Sequence, residues 1–298
     1  MNRAIPLILF AVSLPMPGWS LGDEVAEETL TVAVVSSVSR FGEVDANLRH
    51  FEELIAEAAE KKAKLVCFPE LALMGYSTSK AIIQYAEPVP GPSTDRLATI
   101  AKRHDVHVSM GMAEKDGDTY HITQALVGPD GFIGKYRKSY PTGSEQSCGF
   151  SPGGEYPTWN VRGFRLGINI CADGRQQATI DAMKAANVDV IHHPHGNLLG
   201  LGRDSEEWTR GKTVYFVPRA VHARAYILIN NSAGDLRDPK GEHNFGSGAL
   251  AIDPLGQVID RTKAKDRQEK MIVVTLTKPL STLIPPYELE RLQRGQDE

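Results

Sequence analysis

Lys64-Leu65-Val66-Cys67-Phe68-Pro69-Glu70 is the stretch from which the rest of the chain can be read. Lys64 to Phe68 is a short, nearly continuous apolar run, and Pro69 closes it, which is the pattern of a buried strand. Just upstream, Glu43 to Lys61 puts Leu48, Phe51, Leu54, Ile55, Ala58 and Ala59 on one helical face. Before that, Leu30 to Ser36 reads LTVAVVS, a second buried-strand pattern. Downstream the alternation continues. Thr94 to His104 is expected as a helix with Leu97, Ile100 and Ala101 inward, followed by a strand at Val106 to Met110. Gln124 to Val127 and Gly131 to Lys135 flank Pro129-Asp130-Gly131 and read as a hairpin. Arg165 to Ile170 and Val188 to His193 are expected as strands around a helix at Gln177 to Asn187. Trp208 to Ala225 reads as a helix that Pro218 should kink or restart. Tyr226 to Asn230, Gly248 to Asp253, Gln257 to Asp260 and Met271 to Thr277 complete the strands, with Pro254-Leu255-Gly256 as a turn. Strands alternating with helices and interrupted by hairpins predict one mixed α/β domain with helices covering sheet faces. Residues 30–277 hold that domain, and residues 278–298, polar with Pro285 and Pro286, read as a C-terminal arm.

The composition narrows the function classes. The 298 residues carry 33 Lys and Arg against 37 Asp and Glu, a formal net charge of −4, so no basic surplus exists to hold phosphate backbones. Nucleic acid is therefore not an expected partner. Three cysteines are too few for a disulfide-stapled scaffold. Met1-Asn2-Arg3 is a short positive start, Ala4 to Met16 is nearly all apolar, and Ser20 and Gly22 are small residues ahead of Asp23. This is the layout of a signal peptide over residues 1–22, with an exported protein, periplasmic or secreted, as its consequence. The apolar run is shorter than the roughly 20 residues of a spanning helix, and no later stretch approaches that length. Stable membrane insertion after cleavage is not expected.

Chemistry-bearing residues sit where apolar strands stop. Glu70 follows one strand, Cys171 follows Leu166-Gly167-Ile168-Asn169-Ile170, and Lys138 follows the hairpin through Tyr136-Arg137. Ligand sites in α/β sheets gather at the carboxyl ends of strands. A thiol can attack carbon, a carboxylate can take and return protons, and an ammonium can steady an oxyanion, so this trio is a candidate cysteine hydrolase. Each residue alone is more often a buried thiol, a surface acid or a solvated lysine.

The neighbours of the three residues add to that reading. Phe68-Pro69-Glu70-Leu71-Ala72-Leu73-Met74-Gly75-Tyr76 resembles the PE-L-x-x-x-GY segment of the nitrilase superfamily of carbon–nitrogen hydrolases. Gly134-Lys135-Tyr136-Arg137-Lys138 resembles its G-x-YRK segment, and Gly167 to Arg175 its G-x-x-IC-x-D-x-R segment. The order Glu, Lys, Cys is also that of the family, and the resemblance spans Thr31 to Thr277. It implies a four-layer α-β-β-α sandwich that hydrolyses non-peptide C–N bonds. In it Cys171 is the nucleophile, Glu70 the proton acceptor, and Lys138 with the backbone N–H of Ala172 the oxyanion holder. No cofactor and no metal are implied. The physics agrees in one respect: a nearby Lys lowers a thiol pKa. A second acid often precedes an F-x-PG turn in the family. Here that turn is Phe150-Ser151-Pro152-Gly153, and family spacing lands on Gln146, so a one-residue insertion is needed to give the role to Glu145. Glu145 is the preferred candidate.

Departures from the pattern bear on the substrate. Ser139-Tyr140-Pro141 replaces a common His-Leu, Gln176-Gln177-Ala178 replaces F-P-E, and the following strand ends in His192-His193-Pro194-His195-Gly196-Asn197. Nitrilases proper tend to carry Trp-Glu after the cysteine, whereas Ala172-Asp173 is the amidase and carbamoyl-hydrolase style. An amide or N-carbamoyl small molecule is the expected substrate, with a nitrile as the alternative. Arg175, His195 and Asn197 are expected near the pocket. Arg175 either grips a substrate carboxylate or pairs with Asp173 or another nearby acid. His193 and His195 share a face if the strand continues, so a metal-dependent amidohydrolase built on His192-His193-His195 is the rival, although Pro194 is expected to break that strand. Cys67 reads as core. Cys148 lies in a Gly/Ser-rich loop, where a disulfide to Cys171 would silence the site. By resemblance, the chain is expected to form a homo-oligomer.

Overall fold

The computed structural model describes residues 28–198 and 204–278. The expected signal peptide (1–22) and all of the C-terminal arm after Lys278 lie outside them. In chain order the strands are β1 Thr29–Ser36, β2 Leu65–Cys67, β3 His107–Asp116, β4 Thr119–Gly128, β5 Gly131–Arg137, β6 Thr158–Val161, β7 Phe164–Ile168, β8 Val190–His195, β9 Tyr226–Asn231, β10 Asp235–Asp238, β11 Gly241–Asn244, β12 Ala249–Ile252, β13 Val258–Arg261 and β14 Lys270–Thr277. The helices are α1 Val44–Glu60, α2 Pro92–His104, α3 Gly143–Ser147, α4 Gln177–Ala185 and α5 Ser205–Ala223. Among the described residues no helix is long and apolar enough to cross a membrane.

Two six-stranded mixed sheets carry the fold, ordered β14-β1-β2-β3-β4-β5 and β13-β12-β9-β8-β7-β6. Each has a parallel trio at its centre, β1-β2-β3 in one and β7-β8-β9 in the other. Strand alternation sorts the side chains into layers. Val32 and Val34 of β1 point between the sheets with Leu65, Cys67, Leu166, Val190, Leu228 and Ala251. Ala33 and Val35 of the same strand point outward, among Phe51, Ile55 and Leu97 of α1 and α2. On the far side, Ile191, Ile227, Ile229 and Leu250 meet Ile180, Met183, Phe216 and Ala220 of α4 and α5. The expected four-layer α-β-β-α sandwich is therefore present. Cys67 is fully buried between the sheets, as its place in an apolar strand indicates.

The structure departs from the sequence reading in several elements. Pro194 does not break β8, which runs on to His195 in parallel register with β9. The pairing of β8 with β7 ends at Ile168↔His192, so at position 194 that edge has no ladder for the missing N–H to interrupt. Pro218 likewise lies inside one continuous α5. The residue four before it is Val214, which is 76% exposed, so the carbonyl deprived of its N–H sits on the solvent side. Strands β6, β10 and β11 were not anticipated, and β3 extends well past Met110.

Candidate active site

Glu70 follows β2, Lys138 follows β5, Cys171 follows β7, and His195 ends β8 with Gly196 next in the chain. Strands β2 and β5 run in the same direction within one sheet, so Glu70 and Lys138 emerge at the same end. Gly111 of β3 lets the backbone at Glu70 close in: a Cβ there would stand 2.3 Å from the Pro69 carbonyl oxygen and 2.4 Å from the Leu71 nitrogen.

Lys138 is fully buried, as are Glu70 and Glu145. Its Nζ donates to Glu70 Oε1 at 2.6 Å and to Glu145 Oε1 and Oε2 at 2.8 Å each, which uses the ammonium's donors on carboxylates. Glu70 Oε2 accepts the backbone N–H of Gly196 at 2.8 Å. Glu145 also accepts Tyr76 OH at 2.8 Å and the Thr142 N–H at 2.7 Å. Thr142 and Glu145 form the capping box of α3, which aims the carboxylate at Lys138. Gln146 points elsewhere, its amide donating to the Pro141 carbonyl. The second acid beside the lysine is thus Glu145.

Cys171 sits at φ +46°, an uncommon backbone conformation for a residue with a side chain, at the start of the short 3-10 turn Cys171–Arg175. Asn197 Nδ2 donates to its Sγ at 3.4 Å. Burial, and then the Glu70 carboxylate, push the Cys171 thiol up to about 12 against the pull of Lys138 and Lys212. The downward pull expected from the lysine is present, but burial and the Glu70 charge outweigh it. Burial and the Glu145 charge also hold Glu70 well above the usual carboxylate range, even against Lys138. Burial alone would discharge Lys138, but Glu70, Cys171 and Glu145 push it upward, so it stays an ammonium. The resting site is a neutral thiol beside a reluctant carboxylate, each biased towards holding a proton.

A cavity of about 400 Å³ opens at Cys171, lined by Arg175, His195, Asn197, Trp208, Lys212 and Phe216 among others. A neighbouring cavity of about 540 Å³ is lined by Ala172, Arg175 and the 139–143 segment. Ala172 thus lines the second cavity, and Arg175 lines both. Arg175 makes no ion pair among the described residues. Asp173 is held instead by Tyr136 OH at 2.7 Å and by the N–H groups of Tyr140 and Ile170.

The histidines divide by strand alternation. His192 faces the sheet–sheet space, bonded to Ser109 Oγ at 2.9 Å and Asn230 Oδ1 at 3.1 Å. His193 and His195 face the other way with their rings 4.6 Å apart. Burial keeps all three well below the ordinary histidine range, so they are neutral at pH 7. The three do not form one cluster, and among the described residues no group of three or more His, Cys, Asp or Glu side chains is placed to hold a metal ion. The cysteines are all free. Cys148 donates to the Thr78 and Ser144 carbonyls instead of reaching Cys171.

Sequence reasoning missed Lys212, Trp208 and Phe216. They recur every four residues on one face of α5, a spacing that can be read from the sequence. It also missed the contact of Tyr76 with Glu145, although Tyr76 belongs to a quoted motif.

Comparison with known proteins follows the same lines. The family model described as carbon-nitrogen hydrolase matches residues 31–284. A nitrilase of Pyrococcus abyssi (strain GE5 / Orsay) is 35% identical over 254 residues, covering 82% of this chain and 88% of the relative. An (R)-stereoselective amidase of Pseudomonas sp is 29% identical over 230 residues, covering 77% of this chain and 80% of the relative. A variant of the amidase from Nesterenkonia sp. AN1, with the acetamide moiety of fluoroacetamide added covalently at its active-site cysteine, superposes with a TM-score of 0.72 at 20% identity. That superposition covers 89% of this chain and 96% of the other, and shows the shared fold.

Proposed function

The chain belongs to the carbon-nitrogen hydrolase family, and from that premise we propose that it hydrolyses an amide or N-carbamoyl small molecule through a thioester on Cys171. The observation that carries the reading is the buried Lys138 ammonium, clamped between Glu70 and Glu145 beside a cavity that opens on the Cys171 thiol. As Sγ attacks the carbonyl carbon, its proton passes to Glu70, and the carbonyl oxygen becomes an oxyanion. Lys138 and the Ala172 N–H stabilise that charge. Glu70 then gives the proton to the leaving nitrogen, the C–N bond breaks, and the thioester remains. Water attacks the thioester, Glu70 takes its proton, the S–C bond breaks, and the proton returns to Sγ. A high thiol pKa and a raised Glu70 suit this order, because proton transfer accompanies attack and does not precede it. Glu145 holds Lys138 in place.

Asp173 after Ala172 supports amide or carbamoyl substrates. The Pyrococcus abyssi nitrilase relative supports a second reading, hydrolysis of a nitrile to its acid by the same thiol. Residues 1–22 support export to the periplasm or beyond. The exposed apolar side chains Val214 and Val221 of α5, with Leu255 nearby in sequence to β12, support a homo-oligomer pairing through this face. Assaying the purified enzyme on butyramide, N-carbamoyl amino acids and aliphatic nitriles tests the substrate class. Inactivation by iodoacetamide with full activity in chelator is the expected outcome, and the reverse pattern overturns the thiol mechanism.

A further inference from the structure

Among the described residues Lys212 is a cation with no carboxylate partner. Its Nζ lies over the Trp208 ring at 5.2 Å and the Phe216 ring at 6.0 Å. The hydrogen bond it has is a long one, 3.4 Å to His195 Nδ1, and that imidazole is neutral. Among the described residues no carboxylate comes within 4 Å of it, whereas Lys138 at the same site holds two. The nearby acids are already engaged. Both oxygens of Glu70 and both of Glu145 are bound by Lys138, Gly196, Tyr76 and Thr142. Glu207 also lines the cavity, but it is exposed and makes no pair with Lys212.

Lys212 therefore brings unused N–H donors and a positive charge to the same cavity as the Cys171 thiol, with a second cation, Arg175, unpaired among the described residues, on its lining. Burial of a partly dehydrated ammonium is unfavourable unless something offsets it, and the aromatic rings offset only part. We propose that Lys212 is a specificity-determining residue that binds a carboxylate on the acyl part of the substrate, with Arg175 as the second donor. The substrate class is then an amide that carries an acid a short chain away from the scissile carbonyl. The proposal rests on the hydrolase reading above and deepens it.

The test compares two probes of equal length, succinamate and butyramide, which differ in a terminal carboxylate against a methyl group. Wild-type enzyme is expected to favour succinamate in kcat/KM, and Lys212→Met to lower the succinamate-to-butyramide ratio by about 10- to 100-fold, the scale of one charge-assisted hydrogen bond. Lys212→Arg should restore part of the ratio. A ratio that Lys212→Met leaves unchanged, or wild-type preference for butyramide, overturns the proposal. A second arm separates this claim from the hydrolase reading. In Cys171→Ala, calorimetric binding of succinate should exceed that of butyrate, and the added Lys212→Met change should erase the difference. If the wild type hydrolyses no amide, carbamoyl compound or nitrile, the hydrolase reading fails and the binding arm alone decides. Equal binding of succinate and butyrate then overturns the carboxylate subsite as well.

Discussion

Arg137 and Lys138 are neighbours in the chain, and they serve two ionic clusters of opposite character. Arg137 joins Lys135 around Glu114, which accepts Lys135 Nζ at 2.5 Å, Arg137 Nη2 at 2.6 Å and Thr123 Oγ1 at 2.6 Å. Lys138 joins Glu70 and Glu145. In the first cluster two cations meet one buried carboxylate, and both cations reach water, with side chains 28–29% exposed. In the second, two carboxylates share one ammonium and no member reaches water. Burial pushes Glu114 up, yet its hydrogen bonds from Arg137, Lys135 and Thr123 win and hold it at about 2. Burial pushes Glu70 up too, and there the second carboxylate adds to it. Carboxylates and cationic side chains thus make a stable tie in one place and a proton acceptor in the other. Charge count and water access decide which.

The largest effect that sharpens this contrast is at the thiol. Cys171→Ala should cut turnover by roughly 10⁴-fold or more while the protein stays folded, and steady-state kinetics with thermal unfolding measure both. Glu70→Gln comes next. Losing a positioned base should cost about 10²- to 10⁴-fold in kcat. A carboxylate whose folded pKa is raised weakens the fold as pH rises through that range, so removing its charge should leave Tm equal or higher at pH 7. A clear fall in Tm would break the comparison, because it would make Glu70 a structural tie like Glu114. By the same logic the acid limb of kcat/KM should lie above the ordinary carboxylate value of about 4.3. A limb at or below that value contradicts a strained Glu70.

Smaller effects follow. Glu145→Gln keeps the Tyr76 contact but loosens Lys138, and about 10- to 100-fold should be lost in kcat, in the range seen when a supporting partner is removed. Glu114→Gln should do the opposite of Glu70→Gln. Activity should stay near wild type while stability falls by about 1–3 kcal/mol, since its partners can turn to water. The sign with pH is fixed by the lowered pKa: the contribution is present above about pH 4 and is lost as pH falls towards about 2. Denaturant midpoints of both proteins across that window check it.

The sequence showed much of this because the relevant signals are local. The apolar strands LTVAVVS and KLVCF are legible on their own, and Glu70 and Cys171 are found by standing at such ends. Strands β10 (DLRD) and β11 (GEHN) are not legible, because they are polar and exist through pairing with each other. The run of β8 through Pro194 depends on where β7 stops pairing, which is a tertiary fact. Glu145 over Gln146 was readable from Thr142-x-x-Glu145, a capping box, had the spacing been weighed as a helix start. Lys212 was hidden because a lysine on a helix is usually solvated, and its isolation from any carboxylate appears only when α5 is packed.

The contacts around Lys138 close on themselves. Gly196 bonds Glu70, Glu70 bonds Lys138, Lys138 bonds Glu145 and Glu145 bonds Tyr76, while a Cβ on Gly196 would stand 2.2 Å from the Tyr76 ring, so the ring lies directly against that glycine. Mechanically this is a closed linkage of five members drawn from three separate segments of the chain, and no joint can move without moving the other four. Damage at any joint is therefore shared by all of them. Pairs such as Gly196→Ala with Tyr76→Phe should be far from additive in a double-mutant cycle, and a glycine with no side chain should prove as unforgiving as the acid it holds.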